Sequence, residues 1–166
     1  MTDKRNHILE IIEKSPGIRF REIMRISGLK NGVLSHHLRH MEDRGRIRVS
    51  RGPGKVHYSS LNITEEQFKV ARALQRSTTR AILLALTADD NLRFTEIVER
   101  CKKSPSTIST YLTDMIKEGV VKVKIVDAKK VYYTNYRSEV NFLVDIQKPS
   151  HIDRPVSGFE DIINSL

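Results

Sequence analysis

Apolar residues recur along the chain at two spacings, and the change from one to the other marks out its elements. Ile8, Leu9 and Ile12 sit at helical spacing, and Ser15-Pro16-Gly17 stops the helix they predict. A second short helix begins near Phe20, carries Ile23, Met24 and Ile26, and breaks near Gly28. Leu34, Leu38 and Met41 fall at i, i+4 and i+7, so they define one face of a third helix that Gly45 caps. Beyond it, Arg46-Ile47-Arg48-Val49-Ser50-Arg51 alternates with period two, as a half-buried strand does. Gly52-Pro53-Gly54 reads as a turn, and Lys55-Val56-His57-Tyr58 as the returning strand. The pattern predicts three helices followed by a β-hairpin.

The same plan is written twice. At an offset of 74 residues, Ile18-Arg19-Phe20-Arg21-Glu22-Ile23 lies over Leu92-Arg93-Phe94-Thr95-Glu96-Ile97, and Leu34, Ser35, Leu38, Met41 and Gly45 lie over Ile108, Ser109, Leu112, Met115 and Gly119. Between Ile8 and Val49, 11 of 42 aligned positions are identical. A one-residue gap then sets Val56-His57-Tyr58 against Val131-Tyr132-Tyr133. Duplication is the simplest explanation. In the second copy, Ser104-Pro105 predicts an N-cap followed by proline at the first helical position. Its hairpin is expected over Val121–Ile125 and Val131–Tyr133, with Asp127 to Lys130 as the turn. Thr64-Glu65-Glu66-Gln67 reads as a capping box opening a linker helix that runs to about Arg76. The expected organisation is a first module over 1–62, a linker helix over 63–76, a second module over 77–136 and a tail over 137–166. In the tail, Ser138 to Ile146 is expected to be a short helix, Pro149 to Pro155 a loop, and Ser157-Gly158-Phe159-Glu160 the opening of another helical turn. Packing or dimerisation is its expected role, which leaves a homodimer open.

Composition narrows what such a chain is for. Its 166 residues carry 29 Lys and Arg against 20 Asp and Glu, a net charge of +9 that favours phosphate polyanions as partners. The excess is uneven: +7 over residues 1–62, +4 over 63–136 and −2 over 137–166. The longest apolar run, Ala81 to Leu86, is far below the roughly 20 residues of a membrane helix, and no signal peptide is legible, so a soluble, cytoplasmic, nucleoid-associated protein is expected. One cysteine, Cys101, builds neither a disulfide framework nor a thiolate zinc site. It is expected to be a buried packing residue rather than a redox sensor. His36, His37 and His40 share a helix, but no carboxylate or thiol string completes a metal site there. No Gly-rich phosphate loop, nucleophile elbow or zinc-hydrolase string is present, and a non-enzyme without a cofactor is expected.

Two helices joined by a tight turn and followed by a basic hairpin form the winged helix-turn-helix arrangement. The string Val33-Leu34-Ser35-His36-His37-Leu38-Arg39-His40-Met41, ending at Gly45-Arg46-Ile47, resembles the recognition helix of ArsR- and MarR-like transcriptional regulators. Ser106-Thr107-Ile108-Ser109-Thr110-Tyr111-Leu112 is similar to a second instance. The resemblance spans about Arg5 to Tyr58 and Arg80 to Tyr136, and the pairing is similar to archaeal regulators that carry two such modules. The cysteine metal motif of the metal-sensing ArsR branch is absent. The resemblance implies a mainly α chain with small β-hairpins, an α+β fold of two tandem winged helix-turn-helix domains, and a sequence-specific regulator of double-stranded DNA.

Residue chemistry agrees with that expectation. With Leu34, Leu38 and Met41 inward, the third helix offers Asn31, Gly32, Ser35, His36, His37 and Arg39 to a major groove, where Ser, His and Arg donate to base acceptors. With Ile47 and Val49 inward, Arg46, Arg48, Arg51, Lys55 and His57 make a basic wing for phosphate. The second copy offers Lys102, Lys103, Ser106, Thr107, Ser109, Thr110 and Tyr111 on its helix side, and Lys122, Lys124, Lys129 and Lys130 on its wing. The first module is expected to lead because it holds most of the charge. The rival expectation is a tandem winged-helix subunit that grips a partner protein, as in chromosome condensation or transcription machinery, with weak or no DNA binding. That role needs an exposed apolar groove, whereas these outward faces are basic.

Overall fold

The computed structural model describes residues 2–52 and 55–147. The hairpin tip at Pro53-Gly54 and the tail elements expected between Pro149 and Glu160 lie outside the described residues.

The first module runs α1 (Thr2–Lys14), β1 (Ile18–Arg19), α2 (Phe20–Ser27), α3 (Asn31–Asp43), β2 (Ile47–Gly52) and β3 (Lys55–Ser60). The two-residue β1 has no period of its own to betray it. It pairs antiparallel with β3, Ile18 opposite Tyr58 and Arg19 opposite His57, which puts β3 in the centre of a β1-β3-β2 sheet. Ile8, Ile12, Ile18, Ile23, Leu34 and Met41 are fully buried in the core beneath this sheet. Each such side chain contributes about 1.5–3 kcal/mol on leaving water.

The second module repeats the order with α5 (Ser77–Ala88), α6 (Phe94–Cys101), α7 (Pro105–Lys117), β4 (Lys122–Val126) and β5 (Lys129–Tyr133). Ser104 caps α7 as its sequence predicts, its hydroxyl accepting the Thr107 N–H at 3.2 Å, with Pro105 at the first helical position. Leu92 bridges Tyr132 through two backbone hydrogen bonds, the remnant of a third strand. Two details differ from expectation. The turn is Asp127-Ala128 alone, both residues left-handed, so Lys129 and Lys130 belong to a strand. A two-residue loop with positive φ at both positions is the geometry that suits strand twist, and it leaves no room for a four-residue turn. The hairpin registers also agree without a gap: Val49 pairs with Tyr58, and Val123, 74 residues later, pairs with Tyr132. The one-residue gap followed the tyrosines by identity. Backbone pairing shows that Tyr58 corresponds to Tyr132.

Backbone handedness is conserved between the copies where residue type is not. Gly17, Gly28 and Gly45 have φ of 80°, 68° and 62°, and their counterparts Asn91, Lys102 and Gly119 have 62°, 52° and 73°. Lys102 thus ends α6 in the left-handed conformation by which Gly28 ends α2, although lysine carries a steric cost there.

α4 (Glu65–Leu74) opens on the expected capping box, Thr64 and Gln67 exchanging hydrogen bonds at 2.8 and 3.1 Å. It is more than a linker, because Phe68, Val70, Ala71 and Leu74 are buried in the second module's core. α8 (Arg137–Ile146) joins the same core through Val140 and Leu143, while Phe142 stays exposed. The modules meet at the turn after α1. The Pro16 carbonyl accepts from the side-chain amides of both Gln75, at 2.8 Å, and Gln147, at 3.2 Å. The Arg80 guanidinium in turn donates to Gln147 Oε1 at 3.1 Å.

Candidate nucleic-acid interface

α3 begins without a side-chain cap and turns Leu34, Leu38 and Met41 into the core. The opposite side exposes Asn31, Gly32, Val33, His36 and Arg39, with Ser35 half-buried among them. The Ser35 hydroxyl donates to Asn31 Oδ1 at 3.1 Å, one turn back, which orients both polar groups along the outward face. Gly32 has open space around it, so this part of the helix presents bare backbone to an approaching surface. A groove separates α3 from the sheet; Ser35, Arg39 and Glu42 line one side and Arg51, Val56 and Tyr58 the other.

Across that groove the Arg51 guanidinium donates two hydrogen bonds to the Glu42 carboxylate, each 2.6 Å. The pair holds the Glu42 carboxyl below the usual carboxylate range. Glu42 was absent from the expected site, yet it lies seven residues after Ser35 and therefore on the same helix face. That spacing is the signal that would have found it.

Several expected interface residues lie elsewhere. His37 is 5% exposed and sits in the core rather than on the outward face. Its ring meets that of His36 edge-on at 5.7 Å. Burial, together with Arg5, His36, Lys4 and His40, pushes its pKa below the ordinary histidine value. Position 37 precedes Leu38 and follows Leu34 by three, so helical geometry carries it to the buried side.

His57 is also buried, with Nδ1 2.8 Å from the Gly17 carbonyl oxygen. Arg48 is half-buried: its guanidinium donates to the Ile63 carbonyl at 2.6 Å and lies 3.9 Å from Glu65. Ser50 accepts from Arg72 at 3.0 Å. One cause explains all three. Arg48, Ser50 and His57 share the sheet face opposite the first core, and α4 covers that face. Alternation identifies which side chains leave the local core but is silent on what a later helix lays over them. Arg51 belongs to the other face and reaches past the core's edge to Glu42. Arg46, Arg51 and Lys55 are the wing cations left exposed.

In the second module, Ser106, Ser109, Thr110 and Thr113 are exposed along α7. Thr110 and Thr113 donate back to the Ser106 and Ser109 carbonyls at 3.0 and 2.9 Å, which directs their hydroxyl hydrogens into the helix. Thr107 is half-buried, its hydroxyl 2.8 Å from that of Ser104. Tyr111 is half-buried too and faces the seam between the modules, not the outward side, with the Arg76 guanidinium 5.9 Å from its ring centre. Lys102, Lys103, Lys122, Lys124, Lys129 and Lys130 are exposed. Lys124 and Lys130 lie 4.8 and 5.5 Å from the ring centres of Tyr133 and Tyr132. The register shows how the copies diverged. Arg39, His40 and Arg44 correspond to Thr113, Asp114 and Glu118, so α7 has no cation at these three positions and keeps only Lys117 in its last turn.

Cys101 is 9% exposed, and burial raises its thiol pKa. Among the described residues no group of three His, Cys, Asp or Glu side chains converges as metal ligands, and no helix is long and apolar enough to cross a membrane.

A family model described as an N-terminal HTH domain matches residues 2–69. A second, described as winged helix-turn-helix DNA-binding, matches residues 75–122. No curated protein matches the chain. Among solved structures, the DIP2311 protein from Corynebacterium diphtheriae is similar at 13% identity, over 79% of this chain and 26% of that chain, with a TM-score of 0.30. This chain therefore spans about a quarter of that one, and the likeness adds nothing to the assignment. With one helix-turn-helix match on each module and a hairpin wing behind each α3-type helix, the chain is a tandem winged helix-turn-helix protein of the DNA-binding, transcription-regulating kind.

Proposed function

We propose that the protein regulates transcription by sequence-specific binding to double-stranded DNA, with α3 in the major groove and the wings on the phosphate backbone. The observation that carries this reading is the outward face of α3, where Asn31, His36 and Arg39 stand exposed around Gly32 with Ser35 half-buried among them, beside a hairpin bearing Arg51 and Lys55. Arg39 has the donors to read a guanine edge, and Ser35 and His36 add shorter-range contacts. Arg46, Arg51 and Lys55 supply charge against phosphates without reading sequence. α7 offers hydroxyls and no cation over the same turns, so the first module sets affinity and the second assists. The reading assigns the protein no catalytic step.

Selection of bound sites from random duplexes tests it. A recurring motif of one or two half-sites is the expected result, and the spacing between half-sites also reports whether a homodimer binds. Recovery of sequences no different from the input would overturn specificity. Absence of any duplex binding at low salt, with capture of a partner polypeptide, would return the protein-interaction reading.

A further inference from the structure

The seam between the modules holds a cluster of cations, of which only Lys55 also belongs to the exposed wing. Arg19 and Lys55 come from the covered face of the first sheet, Arg72 from α4 and Arg76 from the segment between α4 and α5. They line one cavity of about 110 Å³, room for three or four waters or one small ion. Asp114 and Glu118 of α7 line it as well. Yet among the described residues none of the four cations lies within 4.0 Å of a carboxylate, whereas Arg51 on the other sheet face pairs with Glu42. The cluster is therefore not neutralised by the obvious partners.

Two further observations point the same way. The Nε atoms of Arg19 and Arg72 are buried and lack a hydrogen-bond partner among the described residues. A buried donor without an acceptor is costly, more so when charged, so the arrangement is stabilised by any acceptor that fits. Burial first, and the nearby Arg76 second, push the Arg19 pKa down. Thr79 does not compete for a ligand, because its hydroxyl already donates to the Ala73 and Arg76 carbonyls.

We infer that this seam is a binding site for a compact oxyanion of phosphate size, held by the guanidinium groups of Arg19, Arg72 and Arg76 with Lys55 at its edge. Guanidinium donors match tetrahedral or carboxylate oxygens in forked pairs, and an anion there would relieve the mutual repulsion of the arginines. A duplex is too broad to enter a cavity of this volume. A free anion is the occupant that fits, in the form of inorganic phosphate or a small dicarboxylate. Because both modules contribute walls, the bound ion would tie them together.

Calorimetric titration of the full chain with inorganic phosphate, and separately with oxalate, at ionic strength held constant with sodium chloride, tests the site without DNA. Saturable one-to-one binding of either anion is expected, the stronger of the two naming the source. Arg19→Gln with Arg76→Gln should weaken it at least tenfold, while Arg46→Gln, exposed on the first module and away from the seam, should leave it unchanged. The melting temperature gives a second readout: the anion should raise it in the parent and in Arg46→Gln but not in the double variant. Heats that never saturate, or equal binding by all three proteins, would overturn the site. DNA binding is scored separately on selected duplexes, so failure here leaves that reading intact and the reverse holds too.

Discussion

A Cβ placed on Gly17 would lie 2.7 Å from the carbonyl carbon of Ala71, closer than real Cβ contacts come. Gly17 also has φ of 80°, and its own carbonyl is held by His57. The turn after α1 is thus pressed against the backbone of α4, and the modules pack rather than hang from a tether.

Gly17→Ala should therefore be among the most damaging single changes in the first module. The left-handed backbone costs about 1–2 kcal/mol for a residue with Cβ, and the contact with α4 adds about 1–3 kcal/mol of overpacking. Gly28→Ala is the matched control, since Gly28 is also left-handed but has open space around it. Urea denaturation should show the Gly17 variant less stable than the Gly28 variant by at least about 1 kcal/mol. Equal losses would mean that α4 gives way freely.

His57 makes stability depend on pH. Burial is the main cause of its depressed pKa, with Arg19 and Arg72 adding to it, and the Gly17 carbonyl and Glu118 opposing. A histidine that protonates less readily when folded leaves the unfolded chain binding more protons on the acid side. Its contribution is complete above the ordinary histidine value near 6.5 and is lost as pH falls from there toward the folded value. The melting temperature should drop between pH 7.5 and 5.5. His57→Gln, which keeps an N–H donor but does not titrate, should flatten that drop, leaving the share that belongs to His37 and His40. An unaltered slope in the variant would remove His57 from the account.

Salt dependence of duplex binding separates wing cations from structural ones. Arg51→Ala and Lys55→Ala should each flatten the slope of log affinity against log salt by about one unit, one phosphate contact apiece. Arg48→Ala should change that slope much less and instead lower thermal stability, because it releases the Ile63 carbonyl. The reverse pattern would mean that α4 lifts from the sheet when DNA binds.

Glu42 competes with phosphate for Arg51. Glu42→Gln removes the ion pair and a negative charge from the groove, so affinity for duplexes of any sequence should rise several-fold at low salt. Arg39→Ala should act differently, costing about 1–3 kcal/mol on the selected site and little on unrelated DNA. Gel-shift titrations on the selected site and on a scrambled one read both.

Much of this was legible because the helices obey local rules. Leu34, Leu38 and Met41 announce their face, Ser104-Pro105 announces a helix start, and Thr64 with Gln67 announces another. The exposed α3 face, with Ser35, His36 and Arg39, follows from the same spacing. What stayed hidden depended on distant partners. Ile18-Arg19 is a strand only because β3 lies beside it, and Arg48 and His57 left the wing only because α4, from beyond the hairpin, covers them. The hairpin register escaped for a different reason: three tyrosines near its end invite alignment by identity, while pairing follows the turn. Asn91 and Lys102 show the limit from the other side. Their left-handed backbone is inherited from positions where the first copy has glycine, and neither residue type declares it.

The Pro16 carbonyl has two lone pairs, and Gln75 and Gln147 take one each. One atom in the turn after α1 thus serves as the common anchor for the end of α4 and the end of α8, 131 residues away. Loosening of α8 would strip a hydrogen-bond donor from the Pro16 carbonyl in the first module's turn, and a strained turn would release α8. The state of α8 is in this way delivered to the base of the first module by a single peptide oxygen.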